Sequence, residues 1–138
     1  MSPRPLAGPR LARVLAIVPY VLAHPGTTID ELAEHILAHS AAATRAAIAR
    51  LPSGSWTASM TLDGYDAPVE LQARLTIDGD RLVVDYAGSS AATGRGINSP
   101  KCYTDAYSVF GLKCLIAPEV PNNAGSLAPF EIVAPRDS

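Results

Sequence analysis

The sequence predicts an α+β fold with N-terminal helices, a three-stranded antiparallel meander, one further helix and a final short strand. Three observations carry this prediction. Apolar residues recur at helical spacing over residues 10–51, and the period changes to two after residue 54. Helical spacing then returns at residues 103–115, before a short apolar run at residues 130–133 that is typical of a strand.

Length and composition describe one domain of ordinary size. The chain has 138 residues, of which 48% are hydrophobic and 17% are charged, which is enough for a single core. The formal net charge is −2, and the isoelectric point is about 5.8. No global positive field therefore attracts the chain to nucleic acid or to an anionic membrane.

The cysteine content and the N-terminus bear on localisation. Two cysteines, Cys102 and Cys114, are too few for a disulfide scaffold, and they fit the cytoplasm as buried structural thiols. The acid-free first 29 residues, with three arginines ahead of an apolar run, resemble a secretory signal. Pro19 interrupts that run, so a cleaved signal is not favoured, and the run is too short to span a membrane.

The helical half of the chain begins with a proline-rich stretch, residues 2–9, that predicts a mobile tail. Residues 10–23 predict a short helix that Pro19 should kink or split. Residues 1–27 form this first region, which could be foreign to the rest of the chain. The second region, residues 28–138, begins with a capping box at Thr28 and Glu31, and its apolar spacing up to Leu51 fits one long helix or two short ones.

The second half of the chain alternates apolar and polar residues. Strands are predicted at residues 56–62, 69–77 and 82–86, with turns at Asp63-Gly64 and Asp78-Gly79. Residues 88–100 are small and polar and predict a long ordered loop of the kind that carries function. Residues 117–125 are rich in proline and asparagine and predict a second loop.

A helix-turn-helix is an alternative interpretation of residues 28–51. Two helices with a turn at residues 38–40, outward-facing Thr44, Arg45 and Arg50, and a following β-ribbon imitate a winged helix-turn-helix. Residues 10–33 also resemble the start of the helix-turn-helix of WYL-domain regulators. The supposed recognition helix is mostly alanine, however, so an amphipathic scaffold helix is favoured, and DNA binding remains the alternative function.

Two further motifs have weak chemical interpretations. His35 and His39 share one helix face, but no third ligand completes a zinc site, so solvated histidines are favoured. In the segment of residues 88–96, five residues separate the first two glycines, and Arg95 stands where a phosphate-binding loop has lysine. A structural turn is favoured there, and a nest of amides that holds a carbonyl or a carboxylate is the open alternative.

From about residue 42 to residue 135 the chain resembles the hydantoinase B/oxoprolinase family. The resemblance rests on several segments in family order, together with Thr104 and the helix that follows it. These segments are residues 45–54 (RAAIARLPSG), 84–90 (VDYAGSS), 96–100 (GINSP), 118–125 (PEVPNNAG) and 129–135 (PFEIVAP).

The resemblance implies a fragment of a subunit that hydrolyses a cyclic amide such as a hydantoin or 5-oxoproline, or that carboxylates a ketone. It implies an A-type partner subunit that binds ATP, with ATP and a divalent metal belonging to the full complex and no cofactor or metal expected on this chain. The family's metal-binding and substrate-facing His and Asp motifs lie upstream of the matched part. The chain is therefore expected to be inactive alone.

Within the matched part, four residues are weak candidates for catalysis. Asp85 ends a strand and could orient Ser89 or Ser90, although a role in bonding loop amides is favoured. Asn98 could hold the loop through a bond of the Asx type or could contact substrate.

Overall fold

A computed structural model describes residues 9–135 of the chain. The described part contains four helices and four strands, and the predicted α+β fold class is confirmed. The elements are α1 (Pro9–Ala23), α2 (Ile29–Ile48), β1 (Gly54–Leu62), β2 (Val69–Asp78), β3 (Arg81–Asp85), α3 (Lys101–Ile116), α4 (Ala124–Leu127) and β4 (Phe130–Val133). Of the predicted tail, all but Pro9 lies outside the described residues.

The chain divides into two compact units between Ile36 and Leu37, inside α2. In the first unit, α1 is a single helix that contains Pro19, so the predicted split does not occur. The predicted capping box at the start of α2 is confirmed, because Thr28 N donates to Glu31 Oε2 at 2.8 Å and Glu31 N donates to Thr28 Oγ1 at 3.3 Å. The Thr28 amide and hydroxyl hold the pKa of Glu31 below its ordinary value.

The helix-turn-helix alternative for residues 28–51 is wrong, and the favoured amphipathic scaffold helix is confirmed. Helix α2 continues through residues 38–40, where the turn was expected, because its alanine-rich sequence has high helix propensity. Thr44, which faces outward in the helix-turn-helix alternative, is fully buried. Ser40, Thr44, Ala47 and Ile48 are the buried residues of α2, and their spacing places them in one stripe toward the core.

The strands form one sheet in the order β1-β2-β3-β4. The predicted meander is confirmed, with β1 antiparallel to β2 and β2 antiparallel to β3. Gly79 supplies the positive φ of +59° that the tight turn between β2 and β3 requires. The final strand, β4, joins this sheet parallel to β3, since α3 and α4 form the long connection that a parallel pair needs.

The core lies where α2 and α3 meet the sheet. Its buried members are Ile48 from α2, together with Ile77, Leu82, Val84 and Phe130 from the sheet. Val109, Leu112 and Ile116 of α3 pack against them. Residues 55–62 of β1 are all exposed. The end of the β1–β2 hairpin near Leu62 therefore extends beyond this core.

A short helix replaces part of the loop predicted at residues 117–125. Asn123 caps α4 by accepting a hydrogen bond from Ser126 N at 2.9 Å, and Asn123 N donates to Ser126 Oγ at 3.1 Å. Asn123 Nδ2 also donates to Ser40 Oγ of α2 at 2.9 Å. These bonds, in a partly buried setting, fasten α4 to the C-terminal half of α2.

The expectation that both cysteines are buried is wrong. Cys102 and Cys114 are free thiols and are exposed. Cys114 is offset from Leu112 and Ile116 by about half a helical turn, so it points away from the face of α3 that packs on the core. Cys102 lies in the first turn of α3 and lines an open cavity.

Candidate functional site

The candidate site is the loop of residues 86–100, which follows β3. Asp85 Oδ1 accepts a hydrogen bond from Ala87 N at 2.9 Å, which turns the chain away from the strand. Gly88 then takes a φ of +95°, and a Cβ atom there would stand 2.6 Å from Gln72 Oε1. The contact made by Asp85 is therefore the loop-anchoring one, and its carboxylate bonds a backbone amide.

Ser89 and Ser90 bond the backbone of β2. Ser89 Oγ accepts from Gln72 N at 3.0 Å and donates to Gln72 O at 3.2 Å. Ser90 Oγ accepts from Glu70 N at 2.9 Å, while Ser90 N donates to Glu70 O at 2.8 Å. Strand β3 pairs with β2 from Arg74 onward, so the two serines take the place of a neighbouring strand along the first part of β2.

Asn98 closes the second half of the loop on itself. Its Oδ1 accepts from Thr93 N at 2.9 Å, and its Nδ2 donates to Thr93 O at 2.7 Å and to Arg95 O at 3.4 Å. Thr93 Oγ1 in turn accepts from Arg95 N at 3.1 Å. Of the two roles proposed for Asn98, the structure shows the loop-holding one.

An ion pair that sequence analysis did not identify connects this loop to the loop between β1 and β2. Arg95 donates from Nε to Asp66 Oδ2 at 3.0 Å and from Nη2 to Asp66 Oδ1 at 2.8 Å, a two-pronged geometry. The guanidinium also lies 5.9 Å from the ring centre of Tyr65. The hydrogen bonds to Arg95 hold the pKa of Asp66 below its ordinary value, and the same bonds raise the pKa of Arg95.

The two connected loops enclose a small cavity of about 200 Å³. Tyr65, Asp66, Ser90, Thr93 and Arg95 are its polar and aromatic lining residues. This volume is below the range of about 300–1,000 Å³ that is usual for ligand pockets. Of the four candidate residues, only Ser90 lines it, so the structure does not bring Asp85, Ser89 and Asn98 together around it.

A larger cavity of about 630 Å³ lies along α3 and is mostly apolar. It is open to solvent, and its lining residues come from α3, from the loop that follows it and from α4. They are Cys102, Asp105, Ala106, Tyr107, Val109, Phe110, Asn122 and Leu127.

Comparison with known proteins identifies the family. The sequence pattern of the Hydantoinase B/oxoprolinase family matches residues 21–138. The chain belongs to the hydantoinase B/oxoprolinase family. The family match begins earlier than the resemblance noted from residue 42 and includes all of α2.

Individual members of the family are similar to different shares of the chain. A protein of Pseudomonas sp. (strain NS671), named as the B-type subunit of a D-/L-hydantoinase, is 32% identical over 123 residues, which are 79% of this chain and 21% of that protein. The 5-oxoprolinase 1 of Arabidopsis thaliana is 36% identical over 70 residues, 49% of this chain and 6% of the oxoprolinase. The 5-oxoprolinase of Dictyostelium discoideum is 28% identical over 81 residues, 57% of this chain and 6% of that enzyme. The chain thus spans about a fifth of the hydantoinase relative and a smaller part of the oxoprolinases.

The nucleotide and metal that the family resemblance implies do not fit the loop of residues 86–100. The amides of Ala87, Ser90, Thr93 and Arg95 all donate to protein oxygens, so they are not directed at a phosphate. The Arg95 guanidinium is paired with Asp66. Among residues 9–135, no three His, Cys, Asp or Glu side chains are close enough to hold a metal ion. His35 is exposed and its ring stacks on Tyr20 at 3.7 Å.

Membrane insertion of a helix requires a long apolar segment. Within the described part of the chain, every helix is too short or too polar to cross a bilayer.

Proposed function

We propose that this chain supplies part of a B-type subunit of an ATP-dependent hydrolase that opens a cyclic amide such as a hydantoin or 5-oxoproline, and that it is inactive alone. The observation that carries the proposal is the family match over residues 21–138. The relatives are named as a hydantoinase subunit and as 5-oxoprolinases, which favours a cyclic amide over a ketone as the substrate.

The geometry of the candidate residues supports a structural role for this segment. Asp85, Ser89, Ser90 and Asn98 each direct their hydrogen bonds to backbone groups of the loop or of β2. A serine nucleophile needs a neighbouring base to remove its proton, whereas Ser89 Oγ donates to the Gln72 carbonyl, which cannot act as that base. The proposal therefore assigns the reacting groups of the full enzyme to other parts of the complex.

An A-type partner subunit follows from the energetics of the reaction. Opening an unstrained lactam is unfavourable without coupling to ATP hydrolysis, and phosphoryl transfer requires a site that positions phosphates and a divalent metal. The amides of Ser89, Ser90, Thr93 and Arg95 and the Arg95 guanidinium are already bonded within this chain. The proposal assigns ATP and the metal to the A-type subunit.

The proposal places the complex in the cytoplasm. Cys102 and Cys114 are free and exposed, and thiols in this state persist in a reducing compartment. Fractionation of the native host, with detection of this chain by antibody, tests the assignment. Recovery of the chain with secreted proteins would contradict it.

A ring-opening assay with a complementation arm tests the proposed function. The purified chain, given a hydantoin or 5-oxoproline with ATP and Mg²⁺, is expected to release no ring-opened product. Hydantoinase A-type subunit is then immobilised, and the chain is passed over it with and without the remaining segment of a B-type subunit. Retention of the chain on the A-type subunit in either arm supports the proposal. Turnover by the chain alone, or no retention in both arms, would refute it.

A further inference from the structure

Strand β1 forms one edge of the sheet and lacks the features that protect edge strands. It pairs with β2 on one side, and it is the first strand in the sheet order. Its nine residues, GSWTASMTL, include no charge and no proline. Natural edge strands are usually short or carry charges, prolines or bulges, because their free backbone groups otherwise pair with another strand. The opposite edge, β4, has four residues, and its Glu131 pairs with Arg81 at 2.9 Å.

The side chains of β1 divide cleanly between two faces. Trp56, Ala58, Met60 and Leu62 lie on the apolar face, opposite Leu75, Ala73, Leu71 and Val69 of β2. The other face carries only hydroxyls, from Ser55, Thr57, Ser59 and Thr61. The exposed fractions of the three large apolar side chains are 46% for Trp56, 55% for Met60 and 43% for Leu62. These side chains are therefore available to a partner strand.

The sequence of β1 is complementary to itself when it is reversed. In an antiparallel pair centred on Ala58, Trp56 of one copy lies opposite Met60 of the other, and Gly54 lies opposite Leu62. On the other face, Ser55 meets Thr61 and Thr57 meets Ser59. Every apolar residue then faces an apolar residue or glycine, and every hydroxyl faces a hydroxyl. Pairs of this kind stabilise neighbouring strands, and sulfur against an aromatic ring is favourable.

We propose that β1 pairs antiparallel with β1 of a second copy, about a twofold axis at Ala58, and that this pairing joins the two sheets into one. The chain carries a formal charge of −2, yet the joining strand has none, so the contact brings no like charges together within the strand. Registers shifted by one residue would place hydroxyls opposite apolar side chains, and other shifts would leave residues of β1 unpaired. The pairing does not depend on the proposed catalytic complex.

The proposed pairing of β1 with β1 of a second copy would also cover the exposed end of each β1–β2 hairpin. Leu62 lies at the free end of the ribbon, whereas Gly54 pairs with Ile77 of the core. The antiparallel register brings Leu62 of each copy beside Gly54 of the other. The exposed apolar end of each copy therefore lies next to the end of β1 in the other copy that pairs with the core residue Ile77.

A pair of matched charge substitutions tests the edge contact. Light scattering coupled to size exclusion is expected to give twice the 14.4 kDa mass of one chain. Ala58→Glu places two carboxylates opposite each other at the axis and should weaken the dimer roughly fivefold or more. Leu71→Glu is the control, because Leu71 is 38% exposed on the same apolar face but lies on β2. Circular dichroism verifies that both variants fold.

Three outcomes would overturn the proposal. A monomer at all concentrations would show that β1 does not bind a second copy. Equal loss of the dimer in both variants would indicate stacking of the apolar faces rather than edge pairing. Open-ended aggregation that Ala58→Glu leaves unchanged would mean that association uses another surface.

A crosslinking experiment tests the register itself. Cys102 and Cys114 are exposed, so both are first replaced by serine to remove background crosslinks. Directly opposed strand residues have Cα separations of about 4.5–5.5 Å, which a disulfide can bridge. Ala58→Cys should therefore form a covalent dimer on mild oxidation, while Leu62→Cys, which lies opposite Gly54 of the other copy, should not. Crosslinking of Leu62→Cys without crosslinking of Ala58→Cys would overturn the register.

Discussion

Replacing Gly125 with alanine is expected to destabilise the protein severely. The added Cβ would stand 2.0 Å from the Leu37 carbonyl oxygen, 2.7 Å from its carbon and 2.8 Å from the Leu37 Cα. All three are backbone atoms of α2, so no side-chain rotation relieves the overlap, and α4 must move by more than about 1 Å. Overpacking of this kind costs about 1–3 kcal/mol, and displacement of α4 also strains the bond from Asn123 to Ser40, worth about 1 kcal/mol. We expect a loss of about 3 kcal/mol in the free energy of unfolding.

Urea denaturation at a fixed protein concentration, followed by far-ultraviolet circular dichroism, measures this loss. Gly111→Ala is the matched control, because Gly111 lies inside α3 and a Cβ there meets no atom within 4 Å beyond the backbone of its own helix. Alanine should stabilise the protein at that position by about 0.5–1 kcal/mol, since glycine loses more backbone entropy in a helix. A Gly125→Ala variant within about 1 kcal/mol of the wild type would refute the close contact between α4 and α2.

Three further substitutions test other contacts. Thr44→Val should raise the free energy of unfolding by about 1 kcal/mol, because Thr44 Oγ1 is buried without a hydrogen-bond partner; a destabilised variant in the same urea titration would contradict this. Ser90→Ala should lower the free energy of unfolding by about 1 kcal/mol, because it removes the acceptor for Glu70 N. Lowered activity of an assembled complex without any change in the urea midpoint would instead indicate a chemical role. The pKa of Asp66 is lowered from its ordinary value of 3.8, so its contribution to stability is present above that pH and is lost as the pH falls through the lower folded value. Asp66→Asn should remove this part of the acid dependence of the urea midpoint, and an unchanged acid profile would show that the pair with Arg95 contributes nothing to stability.

Features with a local signal were predictable from the sequence. The capping box at Thr28 and Glu31 requires only two residues in one turn, and the strands are visible because alternation is a property of neighbouring residues. The loop-anchoring roles of Asp85 and Asn98 were also foreseeable, since short polar side chains bond nearby backbone amides. The hydrogen-bond partners of Thr28, Asp85 and Asn98 all lie within five residues along the chain.

Features that depend on distant partners were not predictable. Asn123 bonds Ser40, and Asp66 pairs with Arg95, across segments whose approach only the complete fold determines. The sequence left open whether residues 28–51 form one helix or two, for a related reason. Ser40 is polar and resembles a turn residue, yet it is buried because Asn123 satisfies its hydroxyl.

The parallel pairing of β4 with β3 has a consequence for the order of folding. The hairpins of β1, β2 and β3 close over short loops, so they can form before β4 leaves the ribosome. Phe130 lies opposite Leu82 and belongs to the same buried cluster, but it is translated only after both later helices. Until β4 pairs with β3, the nascent sheet therefore exposes part of its apolar surface to solvent. Chaperone binding during synthesis should be concentrated in the period before β4 is available.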